Sequence, residues 1–221
     1  MPRLPDVLSP ADLPLAELHA ARLTGEVYAI GGCFAPVDLP ELRAVRAEVI
    51  SRQAPARFVA DRLTAAWVWG AVAAPPVRLQ FCIDIRSRHR QTTTRFDLRE
   101  VVIDGSEIAV VGAALVTSPE RTMLDLARDG AVDDEAAVGL LQALRECTGI
   151  PLESVLARVI GSGARSHMRR ARSRLECAVS AVADAVDVVD ALDAPHGIQH
   201  AVEMGRVTHL EDEAAERQSV A

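Results

Sequence analysis

Leu115-Val116-Thr117-Ser118-Pro119-Glu120-Arg121-Thr122-Met123-Leu124-Asp125-Leu126-Ala127 reads as the end of a strand running into a helix. Ser118 has the side chain of an N-cap, whose hydroxyl accepts a free backbone N–H of the first turn. Pro119 falls at the first helical position, where its missing N–H costs nothing. Glu120 places negative charge at the positive end of the helix dipole. Met123, Leu126 and Ala127 recur at helical spacing and define an inner face. Losing the cap should cost about 1 kcal/mol. Arg121 and Asp125 are four residues apart on this helix. As an exposed pair they contribute about 0.2–0.5 kcal/mol; if buried, they orient a loop or meet a partner. Either way they are candidate partner-binding residues.

Working upstream, Val77, Leu79, Phe81, Ile83 and Ile85 alternate with Arg78, Gln80, Cys82, Asp84 and Arg86, which predicts a half-buried strand. Val101-Val102-Ile103, Asp104-Gly105 and Glu107 to Val111 suggest a hairpin around an Asp-Gly turn. Leu15 to Leu23 predicts a short helix, Glu26 to Ile30 a strand, and Arg57 to Ala60 a buried strand. A helix is expected over Asp38 to Arg52, with Asp38 as N-cap and Pro40 just inside. Thr64 to Trp69 is a short helix stopped by Gly70. Trp67 and Trp69 are two apart and point to different sides of it. One belongs to the core, and Trp69 is the candidate to cover a neighbouring segment or a partner. Downstream, Asp134 to Glu146 and the stretch opened by Pro151 are amphipathic, and Arg165 to Val182 carries Met168, Ala171, Leu175, Ala178 and Val182 at helical spacing. The expected fold class is α+β: a small mixed or antiparallel sheet with packed helices and a helical C-terminal part.

All 24 basic residues are arginines. The absence of lysine removes the P-loop lysine, the Schiff-base lysine and the lysine of the usual D…E-x-K nuclease site. No G-x-S-x-G, H-E-x-x-H or Rossmann glycine fingerprint is present. Cys33, Cys82, Cys147 and Cys177 are too scattered for a zinc site, and His196, His200 and His209 give no ligand spacing. The expectation is a non-catalytic protein with no cofactor and no metal. Net charge is -7, but residues 180–221 hold nine acids and two arginines, and the remainder has acids and arginines in equal number. Two arginine clusters are candidate nucleic-acid contacts: Arg86, Arg88 and Arg90, with Arg95 and Arg99, after the alternating strand, and Arg165, Arg169, Arg170 and Arg172, with Arg174, on the late helix. Guanidinium forks match phosphate oxygens, but a solvated hairpin end and a solvated helix face explain the same residues. No run of apolar residues is long enough for a membrane span, and the N-terminus lacks an apolar leader, so a cytoplasmic location and no membrane contact are expected.

Thr117-Ser118-Pro119-Glu120-Arg121-Thr122-Met123-Leu124-Asp125-Leu126-Ala127 resembles the T-x-P-x-R-T-hydrophobic-L-D-L-A signature of actinobacterial AbiEi-like antitoxins and transcriptional regulators of type IV toxin–antitoxin systems. Asp61-Arg62-Leu63-Thr64-Ala65-Ala66-Trp67-Val68-Trp69-Gly70 resembles the S/T-A-A-x-L-W-G box of the same family. The resemblance covers residues 23 to 130. It implies a winged-helix-like N-terminal stub over 1–32 and an AbiEi-like α+β domain over 33–162, while spacing and charge alone suggest a basic helix over 163–183 and an acidic, weakly ordered tail over 184–221. It further implies binding to duplex DNA of the protein's own promoter and a nucleotidyltransferase-like toxin as partner. A complete winged helix needs about three helices, which the first thirty residues cannot supply. The alternative is a protein-interaction scaffold of the same fold that has lost DNA binding.

Overall fold

The turn between the first two strands shows how local sequence builds this molecule. In the structure, a computed structural model that describes residues 5–86, 95–161 and 166–193, helix α1 (Leu15–Leu23) leads into strands β1 (Val27–Ile30) and β2 (Cys33–Pro36). Ile30 pairs with Cys33, leaving Gly31-Gly32 as a two-residue turn with φ of +53° and +85°. Two positive φ values mark the type I′ turn that suits the twist of a hairpin. Space also demands glycine here: a Cβ on Gly31 would lie 2.9 Å from Val49 Cγ1 and 3.2 Å from Trp67 Cη2. Leu8 bridges to Phe34, and Leu8, Leu18, Val27 and Phe34 close a small N-terminal core. The sequence suggested β1 but not its return strand β2.

Helix α2 (Arg43–Gln53) begins later than Asp38, with Leu42 extended at its N-cap. The residue before Pro40 is biased away from helical φ/ψ, and Leu39 is held in a turn by its N–H to Pro36 O and by the Tyr28 hydroxyl on its carbonyl. Strand β3 (Val59–Ala60) and helix α3 (Arg62–Trp69) follow. Gly70, at φ +100°, ends α3 by donating its N–H to Ala66 O and Trp67 O.

Strands β4 (Gln80–Asp84), β5 (Asp97–Val101), β6 (Ile108–Val111) and β7 (Ala114–Thr117) join β3 in a mixed five-stranded sheet of order β5-β4-β3-β7-β6. This is an α+β fold. The expected hairpin around Asp104-Gly105 is not formed, because β5 and β6 lie at opposite edges of the sheet. Gly105–Glu107 is instead a 3-10 turn, in which Glu107 N–H bonds Asp104 O and the Asp104 N–H reaches back to the Glu107 carboxylate at 3.3 Å. The real hairpin is β6–β7, turning at Val111 to Ala114. Likewise β4 and β5 pair parallel and are not the two arms of a hairpin, and residues 87–94 between them lie outside the described residues. Strand β4 is an interior strand, between β5 and β3, and both its faces are covered. Phe81 and Ile83 are buried as alternation requires, while Cys82 on the other face packs with Val59 and Ile103. Val77 and Ile85, beyond the paired segment, stay exposed.

The organising helix α4 (Pro119–Arg128) has Ser118 as N-cap, accepting from Arg121 N–H at 3.2 Å. Every residue from Arg121 to Ala127 is buried, so α4 is covered all round rather than amphipathic. Helices α5 (Asp134–Thr148) and α6 (Leu152–Ile160) follow, and Leu141, Leu144, Leu152 and Val155 are fully buried. Helix α7 (Ser166–Asp193) buries Met168, Ala171, Leu175 and Ala178, and continues past the Val182 end expected for it. Contacts divide the chain into Met1–Ala178 and Val179–Ala221. No helix among the described residues is long and apolar enough to cross a membrane.

Candidate functional site

Two motif-bearing segments far apart in sequence meet at the end of β7. Trp69, the last residue of α3, donates its Nε1–H to Thr117 O at 3.0 Å. Thr122, one turn into α4, donates its hydroxyl to Ser118 O at 2.9 Å and sits 2.7 Å from Thr117 Oγ1. These bonds hold the strand-to-helix junction from both sides. A chain of alternating charges then runs through the interior. Asp61, wholly buried ahead of α3, takes the Nε–H of Arg99 from β5. Arg99 Nη2 lies 2.7 Å from Asp125 Oδ2, an ion-pair contact without hydrogen-bond geometry. Asp125 accepts from Arg121 Nε at 3.0 Å, and Arg121 Nη1 donates to Glu107 at 2.6 Å and to Val102 O at 3.3 Å. Arg158 of α6 closes the series on Glu107 at 3.1 Å. Removing one member of such a buried series leaves an uncompensated charge, at a cost of about 3–5 kcal/mol.

The electrostatics follow from burial and partners. Burial pushes the Asp61 carboxyl above its ordinary range, against the pull of Arg99 and Arg62. Burial acts on Glu107 too, but Arg121, the Asp104 N–H and Arg158 together outweigh it and hold that carboxyl low. Cys82, deep in the sheet beside Asp61, is pushed up to about 12 by burial, so its thiol stays protonated and inert. Arg62, the first residue of α3, adopts φ +46°. This left-handed backbone costs about 1–3 kcal/mol for a side-chain-bearing residue. It is held there by ion pairs of its guanidinium to Asp97 at 3.0 Å and to Asp61 at 3.5 Å.

Between the loop 102–107, α4 and α6 lies an open cavity of about 450 Å³. Arg121, Arg128 and Arg158 line it together with Asp104, Glu107 and Leu124. Arg128 differs from its neighbours. Its Nε–H is buried and has no acceptor, and burial lowers its affinity for the proton.

The predicted partner residues Trp69, Arg121 and Asp125 are thus internal, 8%, 7% and 3% exposed. Trp69 covers a neighbouring segment, and the Arg121–Asp125 pair orients the loop through Glu107 and Val102. These three present little surface to a partner. Of the predicted phosphate contacts, Arg86 is exposed but is 3.6 Å from Asp104 and 3.9 Å from Asp84. Arg88, Arg90 and Arg165 lie outside the described residues. Arg169 and Arg170 are exposed on α7, while Arg172 is paired with Glu176 at 2.7 Å. Arg174, counted by sequence in the basic run, is buried, and its guanidinium binds Asp129 O at 2.7 Å and Val132 O at 2.6 Å. Sequence reasoning gave Asp61 only as the start of a box and counted Arg99 in a basic stretch, and placed neither in a buried ion-pair series. A signal existed for Arg174, which falls on the stripe of Ala171, Leu175 and Ala178. Arg99 had one as well, since it sits directly opposite Cys82 in the parallel register, but that required knowing the pairing.

No family model matches the chain, and no curated protein matches it significantly.

Proposed function

We propose that this chain is a non-catalytic, antitoxin-like transcriptional regulator of the type IV toxin–antitoxin kind, meeting duplex DNA through Arg169 and Arg170 of α7. The observation that supports this reading is the convergence of the two boxes that carry the resemblance: Trp69 bonds Thr117, and Arg99 ties Asp61 to Asp125. Box residues so engaged serve as scaffold, which leaves the exposed arginines for contact. The test is a mobility-shift titration on the gene's own upstream DNA at low and near-physiological salt, with R169A/R170A alongside. Binding that weakens steeply with salt and is lost in the double variant supports the regulator reading. Unaltered binding by the variant removes α7 from it, and no binding at either salt defeats it. A nucleotidyltransferase-like toxin as partner belongs to the same proposal and is tested by co-purification with the adjacent gene product.

A second reading is a protein-interaction scaffold without DNA binding. It is favoured by the engagement of Arg172 by Glu176 and of Arg174 by the C-terminal end of α4, because both reduce the basic face.

A further inference from the structure

The cavity beside α4 is not needed by either reading, and its chemistry points elsewhere. Its walls carry three guanidinium groups and two carboxylates. Most of these charges are already engaged. Arg121 is engaged by Asp125 and Glu107, and Glu107 in turn by Arg121 and Arg158. Asp104 is 69% exposed and is approached by Arg86 from outside. Arg128 stands apart: among the described residues no carboxylate pairs with it, and its buried Nε–H meets no acceptor. The Nε itself is closed to solvent, so the cavity is met by the rest of this guanidinium, and a cation without a carboxylate partner is the group here that gains most from an oxygen ligand. Glu107 sets a limit on that ligand, because its carboxylate repels an anion that approaches too near. The end of the cavity at Arg128, two turns along α4 from Arg121, is where the balance of charge favours one.

We infer that this cavity is a binding site for an oxyanion of the phosphate class, with Arg128 as its principal donor and Arg158 as a second guanidinium lining it. A fork of N–H donors fits two oxygens of one phosphate. The volume of about 450 Å³ accommodates a group larger than the phosphate alone. The walls are polar and charged apart from Leu124, Val102 and Ala157, which suits a phosphorylated ligand over an apolar one. The phosphate could belong to a free small molecule or to a nucleic-acid backbone, and the two sources are separable by experiment.

The full chain is titrated with inorganic phosphate in chloride buffer of matched ionic strength, by calorimetry and by thermal denaturation. R128Q and R158Q are measured in parallel, with circular dichroism to verify that each is folded. Phosphate should raise the melting temperature of the native protein, and R128Q should bind it at least about tenfold more weakly, as loss of a charged hydrogen bond requires. R158Q, altered at a half-exposed position, should show a smaller loss, and it carries the test if R128Q does not fold. A short DNA duplex is then added. Displacement of phosphate by the duplex assigns the site to a nucleic-acid backbone, and persistence of phosphate binding assigns it to a free phosphorylated compound. A phosphate response no greater than that of chloride, or one undiminished in the folded variants, overturns the site.

Discussion

Replacing Arg174 by methionine tests whether the late basic helix is built for contact or for support. Methionine keeps an unbranched apolar stem, though a shorter one, and removes every donor. Arg174 is 4% exposed, and its donors fall on Asp129 O at 2.7 Å and Val132 O at 2.6 Å, with weaker contacts to Leu126 O and Ala127 O at 3.3 Å. Leu126 and Ala127 belong to the last turn of α4, whose carbonyls have no partner within the helix. The bond to Asp134, at 2.7 Å, joins a carboxylate that is 80% exposed, and contributes little. Two short charge-assisted bonds are worth about 3–6 kcal/mol together, and relief of the desolvated guanidinium offsets part of this, leaving a net loss of about 2–4 kcal/mol. For a domain of this size that is a fall in Tm of about 6–12 °C. Urea unfolding followed by circular dichroism measures it, with R172M as control, since Arg172 is exposed and, among the described residues, pairs with Glu176 on the surface, and should change stability by less than about 0.5 kcal/mol. If R174M unfolds within about 0.5 kcal/mol of the native chain, Arg174 does not support α4 and the argument from its burial fails.

Other outcomes follow from the same geometry. Glu107 has a carboxyl held below its usual range, so its contribution is present above its ordinary value of 4.5 and is lost as pH falls through the lowered one; E107Q should be less stable at neutral pH and should flatten the acid limb of a stability–pH profile, and an unchanged limb would count against the Arg121–Glu107 bond. G31A places a Cβ 2.9 Å from Val49 Cγ1 at φ +53°, and should lose about 1–3 kcal/mol in chemical denaturation; a neutral substitution would mean the β1–β2 turn does not pack on α2 and α3 as described. T122V removes the hydroxyl that bonds Ser118 O and leaves Thr117 Oγ1 without its partner, for an expected loss of about 1–3 kcal/mol by the same urea assay; no loss would show the junction to be held by Trp69 alone.

Elements with strong local signals were readable from sequence. Leu15–Leu23 has the observed bounds of α1, and Ser118-Pro119 marked the start of α4 because cap and proline act on the neighbouring backbone alone. The core parity of β4 followed from alternation at Phe81 and Ile83. Pairing was less legible. Asp104-Gly105 has the residues of a hairpin turn, yet its flanking strands go to opposite sheet edges, because partner choice depends on where β3 and β7 lie. The site suffered for the same reason. Arginine and aspartate carry no local mark of burial, so the sequence left Arg121 and Asp125 open as an exposed or a buried pair, a choice settled by Arg99 from β5 and Glu107 from the 3-10 turn. Arg99 read as one more member of a basic stretch, since its partner Asp61 is separated from it by the whole of α3 and β4.

The anchoring of α4 by Arg174 has a consequence for synthesis. A ribosome releases this chain from its N-terminus, so Ser118 and the start of α4 emerge well before the residue that satisfies the helix's far end. The charges at Asp61 and Arg99 likewise wait for Asp125. A nascent chain cut off before residue 174 therefore holds a helix with open carbonyls at its C-terminus, exposed to water or to a chaperone. The last turn of α4 and the loop to Val132 are thus completed by a side chain more than forty residues downstream, and a chain stalled short of it is expected to be cut there more readily than the full chain, as limited proteolysis of a truncated chain measures.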